Sequence, residues 1–569
     1  MPNFIEQLDA KFVQLLSDWT VITTVLAVLT VGTLLYPIVF PNEADTHPLL
    51  LARQSIVAPI RKKHESAAYR SPEVPYGFPL RTGLDVKAAD APRWAPGKDG
   101  DLRDVWREVQ RGGSLGVDGK EIPKGLIMTV LGKEEVVKHE IPALSKEIQI
   151  LGKRLNHSGG RRVAVYLPNS IEYLLTIFAS AFYGLTPVLI PFNLPHPKLY
   201  ELIKQGEADC LICAAGSVPL EDLSQECPKL GLLIWVVEKT SRHMDWHGVP
   251  ESAQDRLNVG VWHDIVEENR ANATADLPSN DSRDRPEGVV FVWQDVQKLN
   301  VRPTLATFTQ QNLVAATSAL VHAIPLRQRL SRSDLVLPAS SFHVPYVLCQ
   351  TLGALFQHAS LAITSVAEPG VDLALVQGGV CPTIIIASPE TMARLHDEET
   401  SRITNALHRI GMANQTRALN AGRMPEPNFL FKLVRPSASC ETSSQLRLIF
   451  TCERLGGGSP PLTSAMLSDL RIFTNSRICY ALTAPQVAGA VAQTNVYDYR
   501  REDESKMGHF GQPLSSVEIK LTGREENGTL NTNQPEGEIM VSGPAVSGGG
   551  EVRLGVKGRF RLDGTLAVL

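Results

Sequence analysis

Short apolar runs alternate with helical segments along most of this chain, and this alternation limits its fold more than any other feature. A helical pattern covers residues 171–183. The runs typical of buried strands lie at 163–167, 188–190, 209–213, 232–237, 289–292, 335–337, 362–364, 383–387 and 446–450. Buried strands that alternate with helices predict a mainly parallel sheet covered on both faces.

Two later segments follow a different pattern. SVEIKLTG and GEIMVSGP are short, alternate between apolar and polar residues, and are bounded by Gly and Pro. This pattern is typical of a small antiparallel barrel or sheet. We therefore predict an α/β fold with two doubly wound, mostly parallel αβ subdomains and a small β-barrel.

An uncharged run of 20 residues, from Val21 to Phe40, precedes this body. A helix of that length crosses a hydrocarbon core of about 30 Å. The charged residues before it are mainly acidic, whereas a signal peptide starts with a basic region. We therefore predict a transmembrane helix that is retained. Arg53, Lys62 and Lys63 follow it, so the positive-inside rule predicts that the body lies in the cytosol.

The composition excludes two classes of protein. Lys+Arg 56 against Asp+Glu 60 gives a net charge of −4, which does not predict a basic footprint for nucleic acid. Eight cysteines in 569 residues are too sparse for a disulfide scaffold. Cys210 and Cys213 form one close pair without a second, so we predict an ordinary core strand and no metal site there.

Six motifs follow one another between about residue 100 and residue 569. They are RRVAVYLPNSIEYLLTIFASAFYGLTPVLIPFN, SSFHVPYVL, PTIIIASPETMARL, LRLIFTC with GGGSPPLT, YALTAP, and GHFGQPLSSVEIKL with GEIMVSGP. In this order they resemble the adenylate-forming (AMP-binding) enzymes, and within them the membrane-anchored long-chain acyl-CoA synthetases. The resemblance implies a fatty-acid substrate and the cofactors ATP, Mg²⁺ and CoA.

The resemblance also implies roles for five residues. Tyr480 would stack near adenine, and Thr483 would lie near a phosphate. The backbone of Gly457 and Gly458 would approach the flat ring, although a glycine run can also be simple slack. His343 would border an acyl or nucleotide channel, although a histidine among apolar neighbours is often a satisfied core residue.

The chain departs from the family pattern at four places where that pattern binds ATP. The loop that should hold the phosphates, residues 294–303, contains no glycine. Ala484 and Val556 stand where the resemblance places a magnesium-binding glutamate and a ribose-binding aspartate. The chain stops at Leu569, where the family continues into a small C-terminal domain with a catalytic lysine. We therefore predict no catalytic residue, no metal site and no bound cofactor.

The loop has acquired apolar residues instead. Trp293, Val296, Leu299 and Val301 gain by folding inward, so we predict that they fill the space ATP would occupy. Lys298 and Arg302 are expected to be solvated.

The predicted layout has five parts. They are a luminal tail (1–19), a transmembrane helix (20–40), a Pro-rich juxtamembrane segment (41–100), an adenylate-former-like large domain (101–545) and the remnant of its end (546–569). The predicted protein is single-pass, with its body facing the cytosol, at the endoplasmic reticulum or a lipid droplet.

The sequence predicts a catalytically inactive, acyl-CoA-synthetase-like protein with a lipid-binding or scaffolding role in fatty-acid metabolism. Its expected partners are the membrane, fatty acid or acyl-CoA, and an active homologue or another membrane protein, but no nucleic acid. The alternative is an active long-chain fatty acid–CoA ligase with a divergent ATP site.

Overall fold

The structure is a computed structural model. It describes residues 20–39, 43–87, 91, 94–114, 121–132, 135–237, 257–279, 288–294, 303–367, 370–377, 379–403, 406–425, 445–501, 508–523, 530 and 532–569. The chain divides into two compact units, Met1–His47 and Pro48–Leu569.

The first unit contains helix α1 (Val21–Val39), which covers most of the predicted span. Over the described part of the chain, no helix is both long enough and apolar enough to cross a membrane. The transmembrane helix predicted at residues 20–40 is therefore not confirmed.

The second unit contains every strand of the described residues. The strands are β1 (Ile56–Val57), β2 (Tyr69–Arg70), β3 (Ile127–Leu131), β4 (Glu135–His139), β5 (Arg162–Tyr166), β6 (Thr186–Leu189), β7 (Cys210–Ala214), β8 (Leu232–Val236), β9 (Asn258–Val261), β10 (Val289–Trp293), β11 (Thr304–Phe308), β12 (Leu335–Ala339), β13 (Ser360–Ile363), β14 (Ile384–Ala387), β15 (Leu448–Arg454), β16 (Arg477–Thr483), β17 (Ala492–Gln493), β18 (Gln512–Pro513), β19 (Glu518–Thr522), β20 (Glu536–Ser542), β21 (Val552–Phe560) and β22 (Leu566–Val568).

The α-helices of this unit connect and cover those strands. They are α2 (Pro48–Ala52), α3 (Leu102–Arg111), α4 (Ile141–His157), α5 (Ile171–Tyr183), α6 (His196–Gln205), α7 (Leu220–Glu226), α8 (Trp262–Asn269), α9 (Gln310–Ala323), α10 (Pro345–Phe356), α11 (Leu373–Gln377), α12 (Pro389–Ser401), α13 (Ala406–Asn420) and α14 (Ser464–Thr474).

The first sheet has the strand order β11-β10-β6-β5-β7-β8-β9, and all neighbours are parallel except β10 and β11. Alternate residues of β5 enter different cores: Val163 and Val165 join one hydrophobic cluster, whereas Ala164 and Tyr166 join another. Both faces of the sheet are therefore covered, as the alternation predicts. Cys210 lies in strand β7 of this sheet and is buried. This confirms the prediction that its segment is an ordinary buried strand.

The second sheet has the order β18-β17-β16-β15-β14-β12-β13-β3-β4, with a parallel centre from β16 to β3. Helix α9 begins with Thr309 as its N-cap residue. The Thr309 side chain accepts a hydrogen bond from the Asn312 amide, and the Asn312 side chain accepts one from the Thr309 amide. This reciprocal cap satisfies two amides that the first helical turn leaves without a partner.

The third sheet is antiparallel, with the order β1-β2-β19-β20-β21-β22. Tyr69 of β2 stacks on Phe560 of β21 with ring centroids 3.6 Å apart, and the Gln54 amide donates to the Asp563 carbonyl at 2.7 Å. The first contact joins β2 to β21, which are not neighbours in the sheet, and the second joins the segment before β1 to the turn between β21 and β22, so the sheet curls. Part of the predicted juxtamembrane segment thus belongs to the curled sheet.

One buried side chain joins the two parallel sheets. Asn169, just after β5, donates from Nδ2 to the Ser340 carbonyl at 2.8 Å and accepts from the Phe342 amide at 2.9 Å. Both partners follow β12, so the carboxyl edges of the two sheets are held together.

Candidate functional site

The parallel strands of the second sheet end along one edge, and the sequence-predicted site residues lie there. His343 follows β12, Gly457 and Gly458 follow β15, and Tyr480 and Thr483 lie in the last half of β16. In open α/β sheets the ligand binds outside the carboxyl ends of the strands. The structure therefore brings the predicted residues to the edge where a site is expected.

The polar atoms of Tyr480 and Thr483 are already bound by the protein. The Tyr480 side chain is fully buried, and its hydroxyl donates to Oε2 of Glu453 at 3.0 Å. The Thr483 hydroxyl donates to the Glu453 carbonyl at 2.9 Å. Neither side chain can contact a ligand in this conformation, because Tyr480 is 0% and Thr483 is 1% exposed.

Glu453 is a site residue that the sequence analysis missed. Burial raises the pKa of its carboxyl to about 7, which the Tyr480 hydrogen bond partly opposes, and the nearby Glu390 raises it further. Glu390 lies in the first turn of α12, after β14. A signal was present in the sequence, since Glu453 and Arg454 are two charged residues at the end of a buried apolar run.

The glycine turn after β15 has a structural requirement for glycine. Gly456 and Gly458 have backbone φ angles of 72° and 74°, values that residues other than glycine rarely adopt. A Cβ on Gly457 would lie 2.8 Å from the Cβ of Arg454. The three glycines are thus needed for the turn, whether or not a ligand approaches it.

Trp293 reaches the same edge from the other sheet. It ends β10, is 3% exposed, and donates from Nε1 to the Leu455 carbonyl at 3.1 Å. The Arg454 guanidinium carbon lies 4.8 Å from the centroid of the Trp293 ring, a cation–π distance. The predicted inward position of Trp293 is therefore what the structure shows. Val296, Lys298, Leu299, Val301 and Arg302 lie outside the described residues.

His343 is a neutral, internally bonded side chain. It is 8% exposed, and its Nδ1 shares a hydrogen bond of 2.8 Å with the Ser341 hydroxyl. Burial, and secondly the charge of Arg454, lower its pKa to about 3. It lies at the predicted edge, but the structure gives it the contacts of a satisfied core histidine.

The residues present do not fit a magnesium–ATP complex. Mg²⁺ binds oxygen ligands, whereas Ala484 is fully buried and has none. Val556 lies on β21 in the third sheet and also lacks oxygen in its side chain. Within the described ranges, no group of three or more His, Cys, Asp or Glu residues is placed to hold a metal ion.

Two covered parallel sheets, a curled antiparallel sheet and a glycine turn at the shared carboxyl edge define an α/β protein with the architecture of an adenylate-forming large domain. The sequence profile described as "AMP-binding enzyme" matches residues 144–287 and 302–549, which is more than half of the chain. The chain belongs to the AMP-binding enzyme family.

Solved structures with this fold include acyl- and aryl-CoA ligases. The anthranilate CoA ligase AuaEII in complex with anthranoyl-AMP is similar over 85% of this chain and 79% of its own, with TM-score 0.58 and 14% identity. A long-chain-fatty-acid-CoA ligase (FadD1) from Archaeoglobus fulgidus is similar over 87% and 86%, with TM-score 0.56 and 14% identity. At such identities the likeness concerns the fold.

One curated relative matches almost end to end. The uncharacterized protein YHR045W of Saccharomyces cerevisiae is 23% identical over 603 residues, which cover 96% of this chain and 98% of the yeast protein.

Proposed function

We propose that this protein uses the AMP-binding fold without forming acyl adenylates, and that its body binds lipid or serves as a scaffold in fatty-acid metabolism. The observation that carries the proposal is the Trp293–Arg454 pair, through which β10 of one sheet contacts the end of β15 of the other. At the same edge, the side chains of Tyr480 and Thr483 are buried and bonded to Glu453.

The chemistry of adenylation explains why these features matter. Attack of a carboxylate on a phosphate develops negative charge, which a metal ion or fixed donors must stabilise. At this edge the side chain of Ala484 offers neither a ligand nor a donor. The flanking carboxyls of Glu390 and Glu453 would repel a polyphosphate unless protonated.

The direct test follows fatty-acid-dependent exchange of pyrophosphate into ATP by the purified protein. We expect no exchange above that of a heat-treated sample, while an active long-chain ligase assayed in parallel exchanges readily. Robust turnover that depends on both fatty acid and protein would overturn the proposal.

A binding test separates the two possible ligands. A ligand that binds only the folded protein raises the melting temperature by mass action. We expect millimolar ATP with Mg²⁺ to leave melting unchanged, and a long-chain acyl ligand to raise it. A saturable shift with ATP that Tyr480→Phe or Thr483→Val removes would show an open nucleotide site.

The second candidate is an active fatty acid–CoA ligase with a divergent site. It is favoured by one observation: Glu390 and Glu453 provide carboxyls at the same edge, where the charge of Glu390 helps to raise the pKa of Glu453. On this hypothesis Glu453→Gln abolishes exchange activity that the unmodified protein shows.

We further propose, on the sequence alone, that Val21 to Phe40 anchors the protein in a membrane with the body in the cytosol, at the endoplasmic reticulum or a lipid droplet. An active homologue of the same fold is the proposed protein partner. Co-purification from gently solubilised membranes tests that partner: recovery of an active acyl-CoA ligase supports it, and recovery of the chain alone contradicts it.

A further inference from the structure

A surface beside the edge strand β1 carries an unusual number of exposed apolar side chains. Each of its seven apolar members exposes between 47% and 73% of its area. They are Leu49, Leu50, Val57, Ile60, Tyr76, Phe78 and Leu562. We call this group the β1 surface. Large exposed apolar groups of this kind mark sites of interaction on folded proteins.

Contacts within the body bring together the chain segments that carry these residues. The Arg61 guanidinium lies 5.8 Å from the Tyr76 ring, and Arg70 donates to the Phe78 carbonyl at 2.9 Å. The Gln54 amide donates to the carbonyl of Asp563, the neighbour of Leu562. The surface is therefore assembled from three parts of the chain by the curled sheet.

The charge of the β1 surface is positive. Arg53, Lys62 and Lys63 are exposed within the segment that contains β1, and in the described part of the chain no ion pair is formed by them. The neighbouring acids pair with other basic groups: Glu518 with Arg61 and Arg70, Glu65 and Glu551 with Lys520, and Asp563 with Arg500. The charge of Lys62 also helps to lower the pKa of Glu551, whereas Arg53 and Lys63 remain available to a partner.

We propose that the β1 surface docks on an anionic lipid surface. Apolar side chains that enter the headgroup boundary, together with basic residues that face it, are what such binding requires. A protein partner with an acidic, apolar face would satisfy the same charges, and the vesicle test below separates it from a lipid surface. This inference concerns Pro48–Leu569 alone and depends neither on the nucleotide site nor on an anchor.

The test uses the body Pro48–Leu569, a compact unit that contains all three sheets. Its flotation is measured with phosphatidylcholine vesicles, with and without added phosphatidylserine. We expect binding only when the anionic lipid is present, and weaker binding as salt rises. Changing Arg53, Lys62 and Lys63 together to Gln removes three basic groups and should lower the partition roughly a hundredfold.

An apolar variant and a matched control complete the design. Leu50→Ser with Ile60→Ser should lower the partition at least tenfold without changing melting, because both side chains are exposed. The control carries Leu326→Ser, Leu375→Ser, Lys198→Gln and Lys229→Gln, which change exposed residues of the same kinds elsewhere.

Three results would overturn the proposal. One is equal binding, or no binding, to both kinds of vesicle. Another is a loss in the control variant as large as in the β1-surface variants. The third is a concentration-dependent dimer in sedimentation that Leu50→Ser with Ile60→Ser converts to monomer, since the occupant would then be a second copy of the chain.

Discussion

Two adjacent residues at the end of β15 have opposite charges and bind different partners. The Glu453 carboxyl accepts the Tyr480 hydroxyl, whereas the Arg454 guanidinium stacks over Trp293. Side chains of consecutive strand residues point to opposite faces, so the two charges do not form an ion pair with each other. Each charged group must therefore be stabilised by the side chains on its own face of the sheet.

The raised pKa of Glu453 predicts how stability changes with pH. The pKa is about 7 in the folded protein and 4.5 in the ordinary carboxyl, so the folded state retains the proton longer. The stability from this group is complete below pH 4.5 and is lost as pH rises through about 7. Glu453→Gln should remove this pH-dependent loss in the free energy of unfolding, which is no more than about 3 kcal/mol.

The measurement is urea unfolding of both proteins across this pH range. The difference between unmodified protein and variant isolates Glu453, because Glu147, whose pKa burial also raises to about 7, titrates in both. A difference that does not change with pH would mean that Glu453 titrates normally.

The substitution Ala484→Glu should not create adenylating activity. One carboxyl cannot replace the other ATP-binding groups, because residues that act as a unit contribute non-additively. Ala484 is fully buried, so a charged side chain there also lowers the free energy of unfolding. Pyrophosphate exchange and urea unfolding are measured together, with Ala484→Gln as the uncharged control. Exchange activity in Ala484→Glu alone would show that the remaining loop binds ATP.

Replacing Trp293 measures how much it contributes to closing the edge. Trp293→Ala should lower the free energy of unfolding by about 3–5 kcal/mol, because it leaves a cavity. Trp293→Phe retains most of the ring and loses the donor to the Leu455 carbonyl, so it should cost about 1–2 kcal/mol. Equal effects of the two changes would mean that ring volume does not matter there.

Among the elements, the hairpin of β1 and β2 is the least expected from the sequence. Each strand has two residues and lies in a Pro-rich segment, so no alternating run of apolar and polar residues predicts it. The central strands were predictable to within a few residues, because β5 and β10 are continuous apolar runs. The edge strand β1 pairs with β2, and β2 is fixed in turn by β19, which is more than 400 residues away.

The two arginines that bind Glu518 should contribute unequally to stability. The Arg70 side chain is 14% exposed and the Arg61 side chain 44%. Loss of the more buried partner leaves the buried Glu518 carboxylate with only the exposed Arg61, whereas an exposed ion pair contributes little. Arg70→Gln should lower the free energy of unfolding by about 2–4 kcal/mol, and Arg61→Gln by less than about 1 kcal/mol. Chemical unfolding of the two variants checks the ratio, which similar losses would contradict.

For the whole molecule, the orientation of the body is the main prediction that the sequence makes and the fold does not test. If basic residues follow an inserted span, protease added to intact microsomes should digest the body from outside. Microsomes opened with detergent provide the control. Protection of the body in intact microsomes, or a glycan on Asn272 or Asn414, would place it in the lumen.

The sequence predicted the location of the candidate site better than its contacts. Tyr480, Thr483, His343 and the glycines lie along one sheet edge because their motifs end neighbouring strands. Their hydrogen bonds depend on side chains from elsewhere in the fold, such as Trp293 of the other sheet, and no local pattern encodes such a contact. The buried position of Trp293 was therefore predictable only as a tendency of apolar residues to turn inward.

The curled sheet also determines when the fold can be finished during synthesis. Glu518, which binds Arg61, follows it by 457 positions, so at roughly 5–20 residues per second the ribosome needs roughly 20–90 s to supply it. Until then β1 and β2 can pair only with each other, and an isolated hairpin is marginally stable in water. During that interval the nascent segment presents its leucines and lysines as an unfolded chain. Strands β1 and β2 are thus fixed in the sheet only late in synthesis, although they are made before the strands that hold them.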